Sequence, residues 1–148
     1  MDKFNTGIMV NIHMDLREIR RKAEIAYSAE DAALKSLLDI SKETGVETRD
    51  ILIHVIFETA LHREIMRGII AAAELTEQAY REYFKGNMVV ENVKQGLLRQ
   101  DEIEKEAYEL YLEMAKTEEN ALLRSIFDAI ARSEETHHAL IRYIDVKH

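Results

Sequence analysis

The chain has 148 residues, with no proline, no cysteine, five glycines and a formal net charge of −8. This length suits one domain with a substantial core. The absence of cysteine excludes disulfides, cysteine-ligated zinc, iron–sulfur clusters and a rubredoxin-type iron site. The acidic charge argues against a nucleic-acid partner, which needs a basic face. There is no membrane-length apolar run and no signal-peptide pattern, so we expect a cytoplasmic protein with no membrane partner.

The periodicity of the first half predicts two helices. Residues 1–8 are expected to form a loose lead, and the first helix runs from about Val10 to Glu43. Gly45 is expected to end it by supplying a left-handed cap. The second helix opens directly afterwards, and only Gly68 interrupts its helical character before a turn signal at residues 85–87.

The second half predicts another pair of helices. The third helix starts near Met88, and a polar junction follows at residues 116–120. The fourth helix runs from about Ala121 to Ile144. No segment of the sequence has the alternation typical of a strand.

Six polar residues lie inside apolar helix stripes, where Leu or Ala would be usual: Glu30, Glu58, His62, Glu104, Glu134 and His137. Residues three or four apart share a helix face, so Glu134 and His137 point into the stripe of Ile130 and Ile141. A carboxylate beside an imidazole in a core is costly unless something pairs with both. Two hard divalent cations would do so. His138 is expected to face solvent or to support the ligands from outside.

The two halves contain an internal repeat. The stretch Glu-x-x-Ala-x-x-x-Leu that begins at Glu30 recurs in the second half, at Glu104, as Glu-x-x-Ala-x-x-x-Tyr. The number of residues from Glu58 to Glu134 is almost the same as the number from Glu30 to Glu104. The sequence predicts that each half is a helical hairpin with two arms of equal length. The two glutamates of a hairpin then lie at the same level along the helix axes. Two such hairpins related by a pseudo-twofold would place four glutamates in one layer.

This arrangement resembles the ferritin-like superfamily of di-iron carboxylate bundles, and within it the small rubrerythrin-like proteins. In that family two helices each give one Glu, and two give a Glu-x-x-His pair. The resemblance covers residues 20–145 and is closest in the second half. The matching motifs there are Glu104-x-x-Ala107-x-x-x-Tyr111-x-x-x-Ala115 and Ala131-x-x-Glu134-x-x-His137.

The resemblance implies an all-α fold, a ferritin-like four-helix bundle built from two helical hairpins, as a single domain over residues 1–148. It also implies that the six polar residues hold two iron ions, with manganese as the alternative. No catalytic residue is expected beyond these ligands.

The first half departs from the family pattern at one position. The pattern places a histidine three residues after Glu58, but Leu61 occupies that position and His62 comes one residue later. A Glu-x-x-x-His pair still keeps both side chains on one helix face, and a π-bulge between them would restore the usual geometry. His54, one turn before Glu58, is the alternative ligand.

The activity that the resemblance implies is oxidation of Fe(II) by O2 or hydrogen peroxide, a ferroxidase-type or peroxidase-type reaction. Peroxidase turnover would need a separate electron donor, because the chain lacks a rubredoxin domain. Two alternatives remain open. One is iron storage or sequestration, which needs a shell-forming oligomer. The other is a non-catalytic helical scaffold whose glutamates are salt-bridged.

Two arrangements of the halves are compatible with the sequence. A ferritin-like bundle within one chain needs a crossover back along the bundle, with a helix break near Gly68 and residues 73–85 as the crossover. In the other arrangement the second helix is continuous and the hairpins are swapped between two chains. Residues 9–70 of one chain then pair with residues 88–147 of the other. We expect a homodimer or a larger homo-oligomer.

Overall fold

The computed structural model describes residues 15–83 and 93–147, and within these ranges the chain forms four helices and no strand. The helices are α1 (Leu16–Glu43), α2 (Val46–Tyr83), α3 (Val93–Thr117) and α4 (Ala121–Lys147). The all-α prediction is therefore confirmed. The predicted N-terminal lead, the turn at 85–87 and the start of the third helix near Met88 lie outside the described residues.

The chain divides into two compact units between Asn87 and Met88. In the first unit α1 packs against α2, and in the second α3 packs against α4. Each unit is an antiparallel helical hairpin, as the internal repeat predicts. A single ferritin-like bundle domain over the whole chain stays a prediction. Within the described ranges, none of the helices has the length and apolar character needed to cross a membrane.

Both ends of α1 are capped by side chains. At its first residue, Leu16, Asp15 caps the helix by accepting a hydrogen bond from the Glu18 amide at 3.1 Å, and the predicted start near Val10 lies outside the described residues. At the other end the predicted left-handed glycine cap is wrong, since the backbone of Gly45 does not lie in the left-handed region. Thr44 turns the chain in an extended conformation instead. Its hydroxyl donates to the Ile40 carbonyl at 2.7 Å and so satisfies one terminal helix acceptor.

The junction between α3 and α4 lies where the sequence predicts it. Asn120 is the N-cap of α4, and its Oδ1 accepts hydrogen bonds from the amides of Leu122 at 3.0 Å and Leu123 at 3.1 Å. Its own amide donates to the Glu118 carboxylate at 2.9 Å. These bonds satisfy amides that the first turn of a helix leaves without partners.

Helix α2 is continuous through Gly68, so of the two alternatives left open by the sequence the continuous second helix is confirmed and the break near Gly68 is not found. It is regular α-helix over 38 residues, about 57 Å, and it has no π-bulge between Glu58 and His62. Packing against α1 continues beyond Gly68: Ala73 is buried, and Glu74 lies 3.6 Å from Arg20. Because α1 supports α2 on both sides of the glycine, the low helix propensity of one residue does not interrupt the helix.

The line of contact between the two helices of each hairpin, here called the seam, is built from small side chains. Every buried residue of the described chain except Leu34 is Ala or Thr, namely Ala23, Thr59, Ala73, Ala115 and Ala131. Small residues let the two helices approach closely, but they bury little apolar area. Many large apolar side chains therefore lie beside the seams and stay exposed.

We predict that Gly68→Ala raises the free energy of unfolding by about 1 kcal/mol, because alanine is the better residue inside a continuous helix. No atom lies within 4 Å of the added methyl position, so no clash opposes the gain. Gly68→Pro should instead cost about 3 kcal/mol. Urea denaturation measures both changes, with Gly96→Ala in α3 as a matched control. A harmless Gly68→Pro would show that α2 breaks at this point.

Candidate metal centre

Three of the six predicted ligands converge in the second hairpin. Glu104 comes from α3, and Glu134 and His137 come from α4, with one ligand atom of each within 4.8 Å of the others. His137 Nδ1 lies 3.3 Å from Glu104 Oε2 and 3.3 Å from Glu134 Oε2. In the described part of the chain, this is the one group of three such ligands. We call it the second-hairpin cluster.

The two carboxyl groups of this cluster share a hydrogen bond, and they are the least exposed of its side chains. Glu104 is 12% and Glu134 18% exposed, against 49% for His137. The hydrogen bond from Glu134 lowers the pKa of Glu104, with help from Gln100 and His137. The same bond and partial burial raise the pKa of Glu134. Their surroundings therefore favour the ionised form of Glu104 and the protonated form of Glu134, which can donate its proton in a hydrogen bond to the Glu104 carboxylate.

Two neighbouring residues orient the ligands. Gln100 donates a hydrogen bond from Nε2 to Glu104 Oε1, and Ser133 Oγ lies 3.3 Å from His137 Nε2. A ring nitrogen held in this way leaves Nδ1 of His137 facing the carboxyl groups. Neither residue follows from the ligand motif alone. Each lies four positions before the ligand that it supports, and that spacing on one helix face is the signal that could have identified them.

His138 does not face solvent but lies in the seam, one turn from the cluster. Its Nδ1 is 2.7 Å from Asp101 Oδ1, and the two side chains are 29% and 21% exposed. These two atoms make no regular hydrogen bond within the described residues, so the contact is an ion pair when the histidine is protonated. Arg142 Nε lies 3.6 Å from the other oxygen of Asp101. His138 therefore pairs with Asp101.

The first hairpin brings together only two of its three predicted ligands. His62 Nδ1 lies 3.6 Å from Glu30 Oε1 across the seam. Glu58 is exposed on α2 and belongs to no group of three ligand atoms among the described residues. The neighbouring residue, Thr59, occupies the seam instead, which turns Glu58 roughly a quarter of a turn away from α1. The alternative ligand His54 is also exposed.

The basic side chains near the first-hairpin pair bind other acids. Arg63 lies 3.1 Å from Asp31 and 2.9 Å from Glu64. Lys35 is 2.7 Å from the same Asp31, and hydrogen bonds from Lys35 and Arg63 lower the pKa of that carboxyl. Across residues 15–83 and 93–147, no ion pair joins a lysine or arginine to any of the four predicted glutamate ligands. Among the described residues, the ion-pair partners of these glutamates are histidines: His62 for Glu30, and His137 for Glu104 and Glu134.

The opposite pKa shifts of Glu104 and Glu134 give the metal-free protein a pH dependence of stability whose sign can be worked out. The raised pKa of Glu134 means that the folded state holds this proton more tightly than the unfolded state. It therefore adds stability at low pH that is lost as the pH rises through the folded pKa of Glu134. Glu104, with a lowered pKa, adds stability that is lost as the pH falls through its own folded pKa.

We predict that Glu104→Gln lowers the pKa of Glu134 toward the ordinary glutamate value. The substitution removes both the charged acceptor of the shared proton and the repulsion that opposes ionisation of Glu134. Carboxyl carbon shifts of metal-free protein labelled with 13C-glutamate, followed by NMR across pH, measure the change. Glu109→Gln, at another glutamate of α3, is the control. If Glu134 titrates in Glu104→Gln as it does in the parent protein, the hydrogen bond between Glu104 and Glu134 does not raise its pKa.

The chain was compared with protein families, with curated proteins and with solved structures. No protein-family model matches the chain. No curated protein and no solved structure matches it either.

Proposed function

We propose that this protein binds iron at a two-metal carboxylate site and oxidises Fe(II) with O2 or hydrogen peroxide. The observation that carries the proposal is the convergence of Glu104, Glu134 and His137 in the second hairpin. Manganese is the alternative metal, since the same donors suit it.

The donor set fits a divalent cation of this kind. Two carboxylates and one imidazole suit iron or manganese, whereas copper and structural zinc sites favour more imidazole or thiolate. A bound cation favours the ionised form of both carboxyl groups, so it would oppose the interactions that raise the pKa of Glu134. The absence of a lysine or arginine partner at these glutamates, within the described residues, leaves the charge available to a metal.

The proposed complete site has two halves. The second-hairpin cluster is one, and Glu30, Glu58 and His62 are the other. Together they offer four carboxylates, which balance the charge of two divalent ions. Bound Fe(II) ions would supply one electron each, reducing hydrogen peroxide to two waters or O2 to hydrogen peroxide, with uptake of two protons.

The chain's own residues have separate tasks in this proposal. Gln100 holds the Glu104 carboxylate, and Ser133 holds the distal nitrogen of His137. Glu134, whose pKa is raised by its hydrogen bond with Glu104, would be ionised when it holds a metal. Because these groups lie on regular helices, their positions are set before a cation arrives, which lowers the cost of binding.

We predict that protein purified without chelator contains about two metal ions per chain. Glu104→Ala and Glu134→Ala should each lose them while remaining helical. Glu135→Ala is the matched control, because Glu135 is the exposed neighbour on the same helix. Metal analysis and oxygen or peroxide consumption with added Fe(II) are the measurements. Far more iron per chain would indicate storage, and iron binding by both alanine variants would overturn the ligand assignment.

Metal should also stabilise the fold. At a hundredfold excess over Kd, an ion that binds only the folded state adds about 2.7 kcal/mol. We expect Fe(II) or Mn(II) to raise the Tm of the parent protein and of Glu135→Ala, but not that of Glu134→Ala. A flat response over a wide metal titration would favour the scaffold alternative.

We predict that Ser133→Ala weakens metal binding about tenfold or more, because it releases the ring of His137. Ser125→Ala is the matched control: Ser125 is an exposed serine of the same helix whose hydroxyl bonds the Ala121 carbonyl, at 2.9 Å. Titration with Mn(II) or Co(II) gives the two affinities. Equal affinities would show that Ser133 does not position the ligand.

A further inference from the structure

We propose that the second hairpin binds one divalent cation with its own residues only, and that this ion is bound first and more tightly than the other ion of the proposed site. The inference rests on the proposed function, because it concerns the same metal centre. It goes further by giving the two hairpins unequal roles. The second hairpin is a complete site for one ion, and the first hairpin supplies a weaker position.

All three ligands of the second-hairpin cluster come from one compact unit of the chain. Glu104 lies on α3, Glu134 and His137 lie on α4, and a connection of three residues joins the two helices. The packing of α3 against α4 therefore brings the ligands together without help from the first hairpin. His137 Nδ1 lies 3.3 Å from an oxygen of each carboxyl group. One cation can contact all three side chains at this point.

The groups that hold these ligands in place also belong to the second hairpin. Gln100 donates a hydrogen bond to Glu104, and Ser133 Oγ lies 3.3 Å from the distal nitrogen of His137. Within residues 93–147, the ion-pair partner of both carboxyl groups is His137, and no lysine or arginine competes with a metal for them. Binding therefore requires little rearrangement, which favours a high affinity.

The first hairpin reproduces only part of this geometry. Glu30 and His62 face each other across its seam at 3.6 Å, as Glu104 and His137 do across the second seam at 3.3 Å. The first pair is more open to solvent at its carboxylate, since Glu30 is 32% exposed and Glu104 12%. One carboxylate and one imidazole offer a cation less charge than the second-hairpin cluster does. Because affinity for a cation follows the charge and the rigidity of its ligands, the first hairpin is the weaker position.

The third ligand is missing from the first seam because of its register on α2. Glu134 precedes His137 by three residues, but the residue three positions before His62 is Thr59, which is buried in the seam. Glu58 lies one residue earlier, about 100° around the helix, and it is exposed. A threonine therefore occupies the place in the first hairpin that corresponds to Glu134 in the second.

The first test removes the ligands of one hairpin at a time from the full-length chain. The first-hairpin variant is Glu30→Gln/Glu58→Gln/His62→Gln, and the second-hairpin variant is Glu104→Gln/His137→Gln. Calorimetric titration with Mn(II) gives the number of ions and each Kd, and circular dichroism shows whether a variant is helical. We expect the first-hairpin variant to lose one ion and to keep the tighter one with the parental Kd.

The second-hairpin variant should behave in the opposite way. Its tightest binding should weaken by more than about tenfold, because even residues that only support a metal ligand are worth that much. A helical first-hairpin variant that binds no ion would overturn the proposal. A second-hairpin variant that keeps the parental Kd would overturn it as well.

The second test moves the third ligand into the first seam. Thr59→Glu, made in the second-hairpin variant, adds a carboxylate three residues before His62 and on the seam that Glu30 faces. We expect one tightly bound Mn(II) ion to return. Thr76→Glu is the matched control, because Thr76 is an exposed threonine of the same helix whose hydroxyl bonds the Ala72 carbonyl at 2.8 Å.

Thr59→Asp, with a shorter side chain, is made in parallel in case the longer carboxylate unfolds the hairpin. Recovery of the tight ion with either Thr59 variant, but not with Thr76→Glu, supports the proposal. Recovery with Thr76→Glu as well, or with neither Thr59 variant, would show that the third ligand does not set the difference between the hairpins, and would overturn it.

The same titrations separate this inference from the proposed function. If the parent chain binds two ions and the helical first-hairpin variant binds none, the inference fails and the two-metal site stands. If the parent binds a single ion that the first-hairpin variant retains, the second hairpin is a complete site and the two-metal function fails. If the parent binds neither Mn(II) nor Fe(II), both fail.

Discussion

The close contact between antiparallel helices in each hairpin is the constraint on which the rest of this structure depends. Alanine and threonine line the contact, so the helix axes approach closely and polar groups from facing helices come within reach of each other. The same small side chains bury little apolar area, which leaves the larger Ile, Leu and Val residues beside the contact. Each hairpin is therefore closely packed along its seam, while large apolar side chains beside the seam stay exposed.

The position of each ligand relative to the seam explains why the halves differ. Glu104 and Glu134 lie in the seam of the second hairpin, where a hydrogen bond between them shifts their pKa values in opposite directions. Glu30 lies in the seam of the first hairpin and meets His62 at 3.6 Å. Glu58 lies beside the seam, where its side chain is exposed.

Much of the fold could be predicted from the sequence because it depends on helical periodicity and on polar junctions. The four helices and the junction around Asn120 follow from these local signals, and so do the equal arms of the hairpins. The prediction of a glycine cap at the C-terminal end of α1 was wrong because the Thr44 side chain caps the helix instead. Continuity at Gly68 was one of two arrangements compatible with the sequence, and packing against α1 on both sides of the glycine accounts for it. The supporting roles of Gln100 and Ser133, and the pairing of His138 with Asp101, depend on side-chain geometry that a ligand motif does not specify.

The short connections within the hairpins have a consequence for the order of folding. Two residues join α1 to α2 and three join α3 to α4, so contacts along each seam form between segments that are near in sequence. Such local contacts form quickly, because little chain entropy is lost in closing them. The hydrogen-bonded pair of Glu104 and Glu134 lets the second seam close before any cation arrives. Each newly made chain would then carry two finished hairpins before it meets a cation.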